Sequence, residues 1–77
     1  MIFPNPTNAK FSISFDDHVK PDKILIYNYM GIKVLEIDPQ GMESPVEIDL
    51  SKYTWGFYFV RTTINNKIIT NKVELIN

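Results

Sequence analysis

The chain has 77 residues, a formal net charge of −1, 22% charged residues of both signs and no cysteine. A chain of this length forms one domain with a thin core, and its mixed charge excludes a basic stripe for nucleic acid and a cationic face for a lipid surface. It has no apolar run near the roughly 18 residues that a membrane helix needs, and it lacks disulfides and thiolate metal ligands, although this does not decide the compartment.

Strand signals in the first half of the chain alternate with polar turns. Apolar and polar residues alternate over 11–16, which predicts a strand with one face exposed to solvent. Residues 23–28 follow a polar break with a proline, and their apolar side chains on both faces predict an interior strand. Gly31 suits the turn that follows, so residues 32–38 should return and complete a hairpin. Residues 2–5 contain a proline, which fits only an edge strand.

The second half of the chain repeats this pattern. Residues 46–51 alternate cleanly and predict another strand with one wet face. Residues 56–64 and 67–76 predict the last two strands, joined by a two-residue turn because asparagine tolerates the left-handed region. No stretch shows sustained helical spacing, so we expect essentially no helix. Six or seven short strands predict an all-β fold, an immunoglobulin-like antiparallel β-sandwich.

A two-residue turn at Asn65–Asn66 fixes which residues of the last two strands share a face. Even-numbered residues of 56–64 and odd-numbered residues of 67–75 share the face that holds most aliphatic side chains, which predicts the core side. The opposite face carries an aromatic strip, Trp55, Phe57 and Phe59. Either another chain segment covers this strip while Lys72 and Arg61 lay their stems along it, or the strip is an exposed docking site.

The sequence contains little that could carry chemistry. His18 is the only histidine, so there is neither a zinc ligand set nor a Cys-His pair. Asp16, Asp17 and Asp22 around it could ligate a hard cation, but they lack the alternation and glycine of an EF-hand loop. The three glycines lie too far apart for a phosphate-binding loop. We therefore predict a binding or structural module that is not an enzyme and has no cofactor or metal.

Several motifs occur in order over nearly the whole chain. They are Phe3–Asn8 (FPNPTN), Ile24–Asn28 (ILIYN) with Gly31 three residues on, Glu47–Ser51 (EIDLS), Gly56–Val60 (GFYFV) and a last strand that bears Lys72. With these motifs the chain resembles the C-terminal sorting domains of type IX secretion cargo, the type A group of the Por secretion tail family. Ala9 and Ile32 depart from the glycine and the basic residue usual there, but neither departure touches the Pro-Asn-Pro or Gly-x-Tyr motif.

The resemblance implies a secretion signal. Such domains stand at the C-terminus of cargo that has reached the periplasm of Bacteroidetes-type bacteria, where the outer-membrane type IX translocon recognises them. A sortase-like cysteine protease then removes the domain, and the cargo is secreted or joined to an anionic lipopolysaccharide on the cell surface. We expect residues 1–77 to be a single sorting domain excised from a larger secreted precursor with an N-terminal cargo domain, and the cleaved bond to lie upstream of Ile2.

Partner recognition is carried over from the family to the residues that match its motifs. They are Pro4, Asn5, Pro6, Gly31, Gly56, Tyr58 and Lys72. A purely structural role is the alternative for Gly56, which would allow a backbone conformation closed to other residues, and for Tyr58, which would fill the core with its hydroxyl at the rim. Lys72 and residues 73–77 are the better candidates for direct contact, because a terminal edge strand offers backbone and side chains to a receptor.

Two other functions stay open at this point. In a carbohydrate-binding or adhesive module of a secreted protein, Trp55, Phe57 and Tyr53 would stack on sugar rings. In a purely structural spacer, no surface would be kept for a ligand. A sorting domain must be terminal in its precursor, whereas a glycan binder or a spacer can stand anywhere, so the position of the chain in the precursor would discriminate between them.

Overall fold

The computed structural model describes residues 2–3, 10–15, 19–41 and 44–76. Within these ranges the chain forms β-strands and no helix, so the described part has no helix that could cross a membrane. The strands are β1 (Ile2–Phe3), β2 (Lys10–Ile13), β3 (Lys23–Asn28), β4 (Lys33–Ile37), β5 (Val46–Asp49), β6 (Gly56–Ile64) and β7 (Lys67–Leu75).

The strands form two antiparallel sheets. The smaller sheet has the order β1-β2-β5, and the larger has the order β4-β3-β6-β7. The all-β prediction is confirmed, and β1 pairs with β2 at an edge, as the sequence indicated. Two packed sheets are consistent with a β-sandwich, and its immunoglobulin-like detail stays a prediction. Residues 23–28 form an interior strand between β4 and β6, also as predicted.

The core lies between the sheets and draws on both. Each sheet contributes alternate side chains of its strands, and Leu50 directly after β5 adds one more. This is the period-two pattern of strands that have one face exposed to solvent. The buried apolar residues are Phe11, Ile13, Ile24, Ile26, Val46, Ile48, Leu50, Tyr58, Val60, Val73 and Leu75. Burying one such side chain contributes about 1.5–3 kcal/mol. The core therefore depends on the alternation read in the sequence.

The first predicted strand is shorter than its alternation indicated. Pairing with β5 ends at Ile13, and Phe15 is only half-buried against the core. The backbone N–H of Phe15 instead donates to Ser44 Oγ at 2.8 Å, and the Ser44 hydroxyl donates to the carbonyl of Phe15 at 3.2 Å. A side chain thus takes over the hydrogen bonds that a neighbouring strand would have made.

The C-terminal hairpin has the predicted register. Asn65 and Asn66 adopt φ angles of 49° and 66°, as a type I′ turn requires. Even-numbered residues of β6 pair with odd-numbered residues of β7, from Gly56 with Leu75 to Ile64 with Lys67. The turn chemistry therefore sets which side chains of the two longest strands share a face.

On the core side of this hairpin, β6 is buried as far as Thr62, whereas β7 is buried only at Val73 and Leu75. Val73 is fully buried, but Ile69 on the same face is 49% exposed, and residues 67–72 are all exposed. Strands rise about 3.3 Å per residue, so the nine residues of β7 span about 30 Å while the four of β2 span about 13 Å. The core side of the edge strand is therefore uncovered over residues 67–72, although Thr62 beside it is buried. We call residues 67–72 the exposed segment of β7.

Candidate recognition surface

The outer face of the larger sheet points away from the smaller sheet. Because Ile24, Ile26 and Val60 are buried between the sheets, their neighbours along each strand lie on this outer face. The strand register places Tyr27 opposite Phe59 and Phe59 opposite Lys72, across three adjacent strands. The outer face thus combines aromatic rings with cationic side chains.

The aromatic strip is partly covered by cations and partly exposed. Trp55 is 71% exposed, Phe57 is 43% exposed, and Phe59 is half-buried on its interior strand. Lys72 Nζ lies 4.7 Å from the centroid of the Phe57 ring, and Arg61 Cζ lies 5.7 Å from that of Tyr27. Each contact is worth about 0.5–1 kcal/mol at an exposed site. The charged end of Lys72 thus lies over Phe57, while Trp55 is exposed as a docking site would require.

A shallow depression of about 290 Å³ lies at one end of this face. Its walls come from the β3–β4 turn and from the bend before β6, and they include Asn28, Tyr29, Tyr53, Trp55, Phe57 and Tyr58. The depression lies beside the exposed end of the aromatic strip. Aromatic side chains from two separate loops therefore meet at one end of the larger sheet.

Hydrogen bonds fix both loops that form this depression. The Asn28 Oδ1 accepts from the backbone N–H groups of Met30 and Ile32 at 2.9 and 3.0 Å, which closes the β3–β4 turn. The hydroxyl of Tyr53 donates to the carbonyl of Val34 at 3.0 Å and ties the bend to β4. The β3–β4 turn is therefore closed by a side chain of its own, and the bend before β6 is tied to β4.

The glycines of the carried-over motifs are required by backbone conformation. Gly31 has a φ of +81° and Gly56 a φ of +141°, both in the region that side chains rarely adopt. A Cβ added at either position would meet nothing within 4 Å. Space is therefore not the constraint. Gly31 serves the β3–β4 turn, and Gly56 serves the entry of the chain into β6.

Tyr58 has a structural environment of its own. Its side chain is 4% exposed, and its hydroxyl donates to the carbonyl of Thr54, four residues upstream. This resembles the tyrosine corner of β-sandwich domains, where a tyrosine near the start of a strand ties down the preceding corner. The Gly-x-Tyr motif thus forms the corner that leads the chain into β6.

The structure brings some of the proposed recognition residues together. Gly56 and Tyr58 line the depression, and Gly31 stands in the neighbouring turn. Lys72 is exposed on β7, over the ring of Phe57. Pro4, Asn5 and Pro6 lie outside the described residues.

Sequence reasoning missed part of this surface. Tyr29 is 74% exposed and Met30 is 66% exposed, both in the β3–β4 turn. The sequence pattern predicts only a turn here. Two large apolar residues between the asparagine and the glycine of a tight turn were the available signal, since turn residues are normally small or polar.

Charged groups on the described residues form surface pairs. Glu36 accepts a hydrogen bond from Lys33 Nζ at 2.8 Å and lies 3.4 Å from Lys23 Nζ, and these contacts hold the pKa of the Glu36 carboxyl below its usual range. The Ser51 hydroxyl and backbone N–H likewise lower the pKa of Asp49. The part of the chain that the structure describes shows no cluster of three metal-ligating side chains. His18, with its neighbours Asp16 and Asp17, lies outside it.

Comparison with known families decides what kind of domain this is. A family model described as "Secretion system C-terminal sorting domain" matches residues 1–76. The chain belongs to this family of type IX secretion sorting domains. No curated protein matches the chain. The resemblance seen in the motifs is thereby confirmed over nearly the whole sorting domain, and the carbohydrate-binding alternative gains no support from it.

Family membership makes the chain a targeting signal of type IX secretion. A targeting signal is attached to a cargo protein and is read by the secretion machinery. The sorting domain must therefore fold on a small core while it keeps part of its surface for recognition. In this sorting domain the Gly-x-Tyr motif shapes a corner. Among the motif and strip residues that the structure describes, Lys72, Trp55 and Phe57 have exposed side chains.

Proposed function

We propose that this sorting domain directs a cargo protein, joined to its N-terminal side, from the periplasm through the outer-membrane translocon of a Bacteroidetes-type bacterium. A sortase-like cysteine protease then removes the domain upstream of Ile2, and the cargo is released or attached to the cell surface. The observation that carries this proposal is the family match over residues 1–76. The domain itself acts as an address and performs no catalysis.

The structure supports a division of labour among the proposed recognition residues. Gly31, Gly56 and Tyr58 act indirectly, because two of them hold turns at positive φ and the third ties down a corner. Lys72 acts by direct contact, since its side chain is exposed on the outer face. Pro4, Asn5 and Pro6 remain recognition residues on the strength of the family motif.

A reporter fusion tests the proposal. A reporter with a periplasmic signal peptide is fused ahead of this chain and expressed in a type IX-competent host and in a strain that lacks the translocon. We expect the reporter in the medium or on the surface of the competent host, and in the periplasm of the deficient strain. The reporter without the domain is the control. A stable fusion that stays in the periplasm of the competent host would refute the proposal.

Removal of the domain is measured in the same experiment. Cleavage upstream of Ile2 lowers the mass of the exported fusion by nearly the 9.0 kDa of the domain. In a host whose sortase-like protease is inactive, we expect the fusion to keep this mass. Exported reporter of full mass in the competent host would show that no removal occurs.

Lys72→Ala separates recognition from folding. The exposed side chain of Lys72 contacts the ring of Phe57, and losing such a contact costs only about 0.5–1 kcal/mol. We therefore expect a domain that still unfolds cooperatively with a melting temperature lower by only a few degrees, and a clear drop in export of the fused reporter. Normal export of a folded Lys72→Ala variant would remove Lys72 from the contact residues.

A further inference from the structure

The edges of the two sheets differ in their protection. Of the strands that end a sheet in the described part, β1 has two residues, β5 has four, and β4 has five with a register shift in its pairing. Short strands, irregular pairing and charges are the usual means of blunting a sheet edge. β7 has nine residues, and residues 67–72 are all exposed. Among the described edge strands, β7 is therefore the longest and the least protected.

The register shows which backbone groups of β7 point outward. In a hairpin with a two-residue turn, the residues that flank the turn form a hydrogen-bonded pair, and hydrogen-bonded and non-hydrogen-bonded pairs then alternate. Ile64 and Lys67 flank the turn, and Thr62 pairs with Ile69 two steps on. Odd-numbered residues of β7 therefore bond to β6. Ile68 and Thr70 direct their N–H and C=O groups away from the sheet.

Apolar side chains flank these outward groups on both faces. Ile68 lies on the outer face opposite Thr63 and is 56% exposed, while Ile69 lies on the core side opposite Thr62 and is 49% exposed. A strand added to this edge would cover both isoleucines. The exposed segment also carries Lys67 and Lys72 at its ends and contains no acidic residue. A complementary strand is apolar in its centre and acidic at its ends.

We propose that the exposed segment of β7 binds an extended strand of the type IX machinery, which adds a fifth strand to the larger sheet. Main-chain hydrogen bonds to Ile68 and Thr70 provide the docking, as in other cases of strand addition. Carboxylates of the partner strand near Lys67 and Lys72 provide orientation and steering. This inference rests on the proposed function and names the surface that the machinery reads.

A second copy of the chain fits this edge poorly. In the symmetrical antiparallel register centred on Thr70, Lys72 of each copy lies opposite Ile68 of the other, and Lys67 lies opposite Val73. The pairing gathers two lysines from each copy along one junction, and no acidic residue of the other copy lies opposite either of them. Lysines on an edge strand are a common device against self-pairing. Charge therefore favours an acidic partner strand.

Thr70→Pro removes an outward N–H and leaves the β6–β7 ladder intact. Proline is tolerated on an edge strand where its missing N–H faces solvent. In the reporter fusion, we expect this variant to melt as a folded domain and to lower export about tenfold, as loss of a main-chain docking bond implies. Thr70→Ala, which keeps the N–H, should export normally. Asn71→Pro, which removes a bond to β6, should lower the melting temperature.

Lys67→Glu tests the charge preference without any change to the backbone. We expect a folded protein with reduced export, because the reversed charge repels an acidic strand. Lys20→Glu makes the same change at an exposed residue that lies outside the strands, and it should leave export unchanged. Equal export by both variants would contradict an acidic partner. If Thr70→Pro fails to fold, the comparison of Lys67→Glu with Lys20→Glu still tests whether the edge binds an acidic strand.

Crosslinking in the full precursor identifies the occupant of the edge. A photoreactive residue at Ile69 should form an adduct with a component of the type IX machinery, whereas one at Lys33 on the opposite edge should not. An adduct between two copies of the chain would overturn the inference in favour of self-pairing. If the unmodified chain is not exported, the proposed function fails as well. If it is exported and a folded Thr70→Pro variant is exported equally, only the edge inference fails.

Discussion

β4 closes one edge of the larger sheet with charged side chains and a hydrogen bond, whereas β7 leaves the opposite edge exposed over residues 67–72. On β4, Glu36 pairs with Lys33 and Lys23, and the carbonyl of Val34 accepts from the hydroxyl of Tyr53. On β7, two isoleucines stand half in solvent. An open apolar edge carries a risk of aggregation. The domain protects one edge of the larger sheet and leaves the other open, as we would expect if the open edge binds a partner.

The largest expected effect comes from breaking the sheet that the two edges share. Ile26 is fully buried on the interior strand β3, so Ile26→Ala should destabilise the domain by about 2–5 kcal/mol. Thermal unfolding should shift down by roughly 10 °C or more, because 1 kcal/mol corresponds to about 4–8 °C in a small domain. Ile69→Ala, on the exposed segment, is the matched control. Similar losses of stability in both variants would show that the tip of β7 is covered after all.

The hairpin at the open edge was the most predictable part of the fold. Asn65–Asn66 and the alternation beside it are local signals, and they sufficed for the register of β6 and β7. The depth of the core was not predictable, because it depends on the length of a second sheet that pairs distant segments. The contact from Tyr53 to Val34, which spans 19 residues, left no mark in any local pattern.

The sequence also predicted which residues belong to the recognition surface better than it predicted how exposed they are. The family motif named Gly56, Tyr58 and Lys72, and the alternation placed Phe57 and Phe59 on the outer face. Alternation cannot say how far a face is covered, so the exposure of Trp55 required the arrangement of whole strands. The sequence placed direct contact on Lys72 and residues 73–77 of the terminal edge strand, but Val73 and Leu75 are buried and the exposed residues of β7 are 67–72.

Gly56→Ala should have the next largest effect, at the corner that leads into the open hairpin. Its φ of +141° is essentially confined to glycine, so a side chain there costs on the order of 1–3 kcal/mol of strain although it meets no neighbour. Chemical denaturation measures the loss. Gly41→Ala provides a comparison at another positive φ, in a turn outside the hairpin. If Gly56→Ala kept full stability and still lost export, Gly56 would have a direct recognition role.

Tyr53→Phe sharpens the comparison by opening the protected edge. The substitution removes the hydrogen bond to the carbonyl of Val34 and should cost about 0.5–1.5 kcal/mol. Amide hydrogen exchange along β4 should quicken while exchange in the exposed segment of β7 stays the same. Tyr29→Phe, at a side chain that is 74% exposed, should change neither. Faster exchange in both edges would mean that the edges open together and that their protection is not independent.

The smallest effect concerns acid and again distinguishes the two edges. The hydrogen bond from Lys33, followed by that from Lys23, lowers the pKa of Glu36 from its ordinary 4.5. A carboxyl with a depressed folded pKa stabilises the fold above its unfolded pKa, and this contribution is lost as the pH falls through the folded value.

Thermal unfolding between neutral pH and the folded pKa should therefore show a slight acid loss that Glu36→Gln reduces, and added salt should weaken it because the pair is exposed. Asp49, whose pKa is also lowered, keeps part of the slope in the variant. Hydrogen exchange at low pH should quicken in β4 first, since the exposed segment of β7 has no carboxylate to lose. An acid effect confined to β7 would contradict this assignment of the protected edge.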